Sequence, residues 1–215
     1  MNKKLRKILT LACSAVLLVC LSVGATVAYL TSSDSVQNTF TIGNVKIHLD
    51  ETDVDLYGVK DGETRVKKNE YKLLPGHEYI KDPTVTVEKG SEESYVFMYV
   101  KASDVAALKK AFPGHEGEDG TFLLQDFVDW NTAWNFVEAN ANGEYIFKYN
   151  ATVDARNAEV VMPALFTTIT IPGDANNDAI ALLDKLTIDV KAFAIQADGM
   201  TDAIALAEAK AAFAK

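Results

Sequence analysis

The amino-acid sequence predicts a mainly β fold, an antiparallel sandwich with a few short helices and a C-terminal helix. Three observations predict it. Runs of alternating apolar and polar residues recur along the chain, as in half-buried strands. One run is apolar on both faces, as in a central strand. Helical patterns are few and short, so no regular βαβ alternation is present.

The elements follow in order. Val45, Ile47 and Leu49 alternate with Lys46, His48 and Asp50, which predicts a first strand. Asp50–Glu70 mixes both charge signs and reads as a long exposed excursion, a loop or an irregular hairpin. Leu74-Pro75-Gly76 is a turn signal leading towards a strand at Thr84–Glu88. Tyr95–Val100 is the doubly apolar run. Ser103 or Asp104 is placed to cap a helix over Val105–Phe112, ended by Pro113-Gly114. Phe127–Val137 and Glu144–Tyr149 flank Asn140-Ala141-Asn142-Gly143 and read as a hairpin. Glu159–Ile171 is β-rich, and Pro163 within it points to an edge or a bulge. Asn177 or Asp178 is placed to cap a short helix through Leu183. Lys185–Ala197 is a strand with Leu186, Ile188, Val190 and Ala192 on one face. Thr201–Ala214 is Ala-rich and predicts the last helix.

The N-terminus has the order of a secretory leader. Lys3, Lys4, Arg6 and Lys7 precede an apolar run from Ile8 to Val23, and small residues follow. That run holds about 16 residues, whereas a spanning helix needs roughly 20. Cleavage is expected between Ala28 and Tyr29, with an uncleaved anchor as the alternative. Cys13 and Cys20, the two cysteines, both lie in the leader. Lipidation at Cys20 fits poorly because bulky Val19 precedes it. Residues 1–28 are therefore read as signal peptide and 29–215 as one domain. The chain is expected to be secreted, to the extracellular matrix or cell surface, and to meet the membrane and a signal peptidase only during export. Removing the leader moves the net charge from −9 to −13, with 17 basic against 30 acidic residues. Such an acidic surface repels nucleic acid and anionic lipid.

Catalytic motifs are sparse. His77-Glu78 begins like a zinc-peptidase helix, but position 81 is Lys where a second His is needed. No Gly-x-Ser-x-Gly elbow is present. His115–Asp119 is a polar loop with at most loose cation affinity. Asp174, Asn176 and Asp178 occupy the first, third and fifth positions of a calcium-loop pattern. Ala179 and Lys185 break that pattern at the sixth and twelfth, so a helix-capping loop explains the same residues. No cofactor is expected, calcium at these three residues being the one possibility. Trp130 and Trp134, at i and i+4, would share one strand face, as a carbohydrate platform or as core.

Ala25–Thr31 followed by Asn38–Val45 resembles the start of Gram-positive secreted proteins processed by the signal peptidase SipW, the family of TasA and camelysin. Leu74–Gly76, Lys81–Val87, Leu165–Gly173 and Val190–Gly199 are similar to clostridial members. The resemblance implies a jelly-roll sandwich, export, and assembly into biofilm-matrix fibres with itself or a related subunit. It also carries the metallopeptidase activity described for camelysin, onto no residues of this chain. In fibre-forming relatives the mature N-terminal segment adds as a strand to the next subunit. Here that segment is Tyr29–Ile42, with Tyr29, Leu30, Val36, Phe40 and Ile42 as its apolar residues. The alternative is that Phe40 and Ile42 begin the first strand of their own sandwich. Three functions thus stand from sequence: a structural fibre subunit or accessory, a secreted metallopeptidase, and a surface adhesin.

Overall fold

The computed structural model describes residues 3–4, 44–115, 127–140, 142–175 and 177–214. Residues 43–215 form one compact unit. Within it the chain runs β1 (Ile47–Val54), β2 (Lys60–Val66), β3 (Glu78–Ile80), β4 (Thr84–Val87), β5 (Ser91–Ala102), α1 (Val105–Ala111), β6 (Trp134–Ala139), β7 (Glu144–Tyr149), β8 (Val153–Ala155), β9 (Val160–Val161), β10 (Thr168–Thr170), α2 (Asn177–Ala181), β11 (Ile188–Gln196) and α3 (Asp202–Phe213). The expected antiparallel β-sandwich with few short helices and a C-terminal helix is what forms.

The first sheet has the order β2-β1-β4-β9, and β3 pairs with β10 beside it. Two prolines explain why these pairs are separate. A proline has no amide hydrogen and interrupts a ladder. Pro83 separates β3 from β4, and Pro163 lies between β9 and β10. The two broken lines still run side by side. The amide of Met162 donates to the Val85 carbonyl at 2.9 Å, that of Leu165 to Pro83 at 3.1 Å, and that of Lys81 to Thr167 at 3.0 Å.

The second sheet has the order β11-β5-β7-β6, with β8 taking the start of β5. β5 is its axis. Val96, Met98 and Val100 face the sandwich core with Val85, Val87, Phe147, Leu165 and Phe166. Phe97 and Tyr99 face the other way, under Ala205, Ala209 and Phe213 of α3. The two small alanines let the helix approach closely, and Phe213 stacks on Tyr99 at 5.2 Å between ring centres. Thr201 starts α3 as expected, its hydroxyl accepting from the Ile204 amide at 3.3 Å. Asp104 does the same for α1, accepting from the Ala107 amide at 2.8 Å.

The hairpin joining β6 to β7 turns at Gly143, whose φ of +72° suits glycine. A Cβ there would also lie 2.5 Å from Val105 Cγ2, so the turn needs glycine twice over. Glu144 supports this turn. Hydrogen bonds from Asn140, then Lys101 and Tyr99, hold its carboxyl down at about 2.

Two expectations need correction. Trp130 precedes β6, which begins only at Trp134, because residues 130–133 turn through bonds at Asn131. Asn177 and Asp178 lie inside α2 and do not cap it, and α2 stops at Ala181, followed by turns. The Asp50–Glu70 stretch forms the expected irregular hairpin, β1 with β2, whose register shifts between Thr52 and Val54. β3 and β8 were not anticipated. Each is three residues long, too short for a period to show.

Two measurements check this packing. Phe213→Ala should cost about 3–5 kcal/mol in denaturant unfolding, against about 1 kcal/mol for Thr201→Ala, since a buried ring outweighs a cap. Glu144 has a folded pKa below its ordinary value, so its contribution is present above the unfolded value near 4.5 and is lost as pH falls towards about 2. Acid titration of Glu144→Gln should show a smaller loss of stability across that window than the parent chain.

Candidate functional site

The feature with most capacity for recognition is a seam between the two sheets. β11 is an edge strand, bonded in its sheet only to β5, and its nine pairs from Ile188↔Ala102 to Gln196↔Ser94 run without a register shift. β1 lies next to β11. The first half of β1, Ile47–Asp50, pairs with β4, while β2 takes only the second half. No ladder joins Ile47–Asp50 to β11 among the described residues. An edge of this kind presents a row of unpaired amides and carbonyls, the template on which another strand adds.

The chain reaches this seam from the N-terminal side. The amide of Lys46 donates to Ser91 Oγ at 3.0 Å, and the same hydroxyl donates to the Lys46 carbonyl at 3.2 Å. The amide of Glu92 donates to the Asn44 carbonyl at 3.0 Å. One residue further, Glu93 accepts from the Ala197 amide at 2.7 Å, just beyond the end of β11. Residues 44–46 are thus clamped at one end of the seam.

A buried ion pair fixes β1 behind the seam. Lys81 Nζ lies 2.5 Å from Glu51 Oε2, and both residues are less than a tenth exposed. Asn69 donates to the second Glu51 oxygen at 3.1 Å and to the Thr52 carbonyl at 2.8 Å. Nearer the surface, Arg65 bonds Asp50 and, at 3.0 Å, Asp82, while Asp82 also accepts from the Thr52 amide at 2.6 Å. These groups tie β1, β2 and the β3–β4 joint together. Nothing in the local sequence pairs Glu51 with Lys81, thirty positions apart. Long-range polar pairs leave no periodic signal.

The predicted site residues fall as follows. Ala28, Tyr29, Leu30, Val36, Phe40 and Ile42 lie outside the described residues, as does Asn176. Asp174 lies in the turn before α2, and Asp178 in its first turn. Among the described residues no group of three or more His, Cys, Asp or Glu is placed to hold a metal. Glu78 lies in a strand, so the His77-Glu78 pair has no zinc-helix setting. His77 Nε2 donates to the Tyr57 carbonyl at 2.8 Å.

The tryptophans do not form an exposed platform. Trp134 is 4 % exposed, and its indole donates to the Pro163 carbonyl at 3.0 Å. Trp130 stacks on Phe147 at 4.6 Å. With Phe136 and Tyr145 they line a slot of about 190 Å³ beside β6.

No family model, curated protein or solved structure matches this chain.

Removing one partner of the buried pair strands a charge, whereas removing both does not. Lys81→Met should therefore cost about 3–5 kcal/mol in denaturant unfolding. The double variant Glu51→Leu/Lys81→Met should recover most of that loss.

Proposed function

We propose that the chain is exported, loses its leader, and acts as an extracellular structural subunit that assembles by strand addition. The observation that carries this proposal is the seam between β11 and Ile47–Asp50, clamped at Asn44 to the segment that would fill it in a neighbour.

Length and pattern agree with that use. Nine residues of β11 extend about 30 Å, and fourteen residues from Tyr29 to Ile42 extend about 46 Å. The segment can cover the edge and still leave a short link to its own domain. Val36, Phe40 and Ile42 fall on one face when it is extended, with Ser35, Gln37, Thr39 and Thr41 on the other. Such a strand offers apolar side chains to a core and polar ones to water. The main-chain bonds supply affinity, and the alternate side chains supply register. Export fits the same scheme, because a leader still joined to Tyr29 holds the segment back until it is cleaved. The likeness to TasA and camelysin proteins supports a matrix or surface-fibre role.

Electron microscopy tests it. The mature chain starting at Tyr29 should form filaments, and a chain starting at Gly43 should not. Equal filaments from the shorter chain would defeat the proposal.

A further inference from the structure

The buried pair behind the seam has a third member. Lys81 Nζ lies 2.5 Å from Glu51 Oε2, and Asn69 Nδ2 donates to Glu51 Oε1 at 3.1 Å. One carboxylate therefore bridges the lysine amine and the asparagine amide. Two more bonds fix the amide plane. Nδ2 also donates to the Thr52 carbonyl at 2.8 Å, and Oδ1 accepts from the Val54 amide at 3.2 Å. Lys81 and Glu51 are 8 % and 6 % exposed. Tyr71 walls the site, its ring centre 6.0 Å from Lys81 Nζ and 5.6 Å from that of Tyr79. An ion pair alone needs no carboxamide on its second oxygen.

These groups are the parts of an acyl transfer. A lysine amine that gives up its proton is a nucleophile. A carboxylate touching both the attacking and the leaving nitrogen can carry protons from one to the other. A main-chain amide on the carbonyl oxygen stabilises the negative charge that develops there. Burial keeps water from competing for the same carbonyl.

We propose that Lys81 and Asn69 join in an intramolecular isopeptide bond, with Glu51 as the proton carrier. The freshly folded chain holds the ion pair described above, and the bond forms within it on standing. Lys81 Nζ passes a proton to Glu51 Oε2, and its freed lone pair attacks Asn69 Cγ. The Val54 amide faces Oδ1 as that oxygen gains charge. Glu51 then protonates Nδ2, the Cγ–Nδ2 bond breaks, and ammonia leaves. Nζ gives its surplus proton to Glu51, which retains it. An amine and a primary amide become one secondary amide and one ammonia, with no oxidant or cofactor. Two buried charges vanish, which favours the product. The link closes residues 69–81 into a loop and ties the exit of β2 to the β3–β4 joint. Residues 43–215 hold no cysteine, so this bond gives the domain the covalent staple that a disulfide gives elsewhere. It does not depend on the fibre reading.

Mass spectrometry of the chain from Tyr29, on purification and after standing at neutral pH, tests the bond. The aged parent should be lighter by one ammonia, and proteolysis should release a peptide pair joined through Asn69 and Lys81. Asn69→Ala keeps the Glu51–Lys81 pair, so it should fold and hold its full mass. Glu51→Gln should slow the joining about a hundredfold or more, the range of general acid–base catalysis. Aged parent chain at full mass overturns the proposal. Ammonia loss that persists undiminished in Asn69→Ala, or that maps to another asparagine with Asn69 and Lys81 in separate peptides, also overturns it. Equal joining rates in parent and Glu51→Gln overturn the role of Glu51.

Discussion

Twelve residues of β5 run through the middle of the molecule with apolar side chains on both faces. Val96, Phe97, Met98 and Val100 are fully buried. Each such side chain contributes about 1.5–3 kcal/mol when removed from water, so a strand of this kind requires cover on two sides. The first sheet supplies one cover and α3 the other. That double requirement orders the remaining elements. β11 must lie beside β5 so that the chain can return as α3 over the far face. β7 and β8 divide the other edge of β5 between them. β11 is thereby left at the margin of its sheet, long, regular and bonded on one side.

Much of this was legible because it is local. The doubly apolar run marked β5 as central, and its flanks confirm it. Asp104 was readable as a cap because capping depends on one side chain and an amide two or three residues on. The Asn140–Gly143 turn was readable because only glycine suits its last position. The losses have physical reasons too. β3 and β8 are three residues each, so neither is long enough to show alternation. Trp130 and Trp134 were read as one strand face, but the Asn131 turn separates them. The Glu51–Lys81 pair and the status of β11 as an edge belong to the tertiary arrangement and leave no mark on neighbouring residues. The metal pattern at Asp174 and Asp178 gathered no further acid or imidazole among the described residues.

A division of labour runs along β1. At its start, the Ser91 hydroxyl and the Glu92 amide clamp residues 44–46. In its middle, Glu51 and Lys81 lock it against the β3–β4 joint. At its end, Asp55, Gly58 and His77 fix an apolar turn in solvent. Buried ion pairs add little net stability compared with apolar packing, but they penalise alternative registers. A strand that lies next to an open seam gains from such a lock, because slippage by one residue would turn its apolar face outward.

Amide hydrogen exchange bears most directly on strand addition. Mature chain held monomeric by dilution would be compared with the same chain after assembly. Addition at the seam predicts that the amides of Ile188–Gln196 and Ile47–Asp50 that point away from β5 and β4 gain protection on assembly, while amides already bonded within the two sheets change little. Filaments in which β11 and the start of β1 exchange as fast as in the monomer would contradict it.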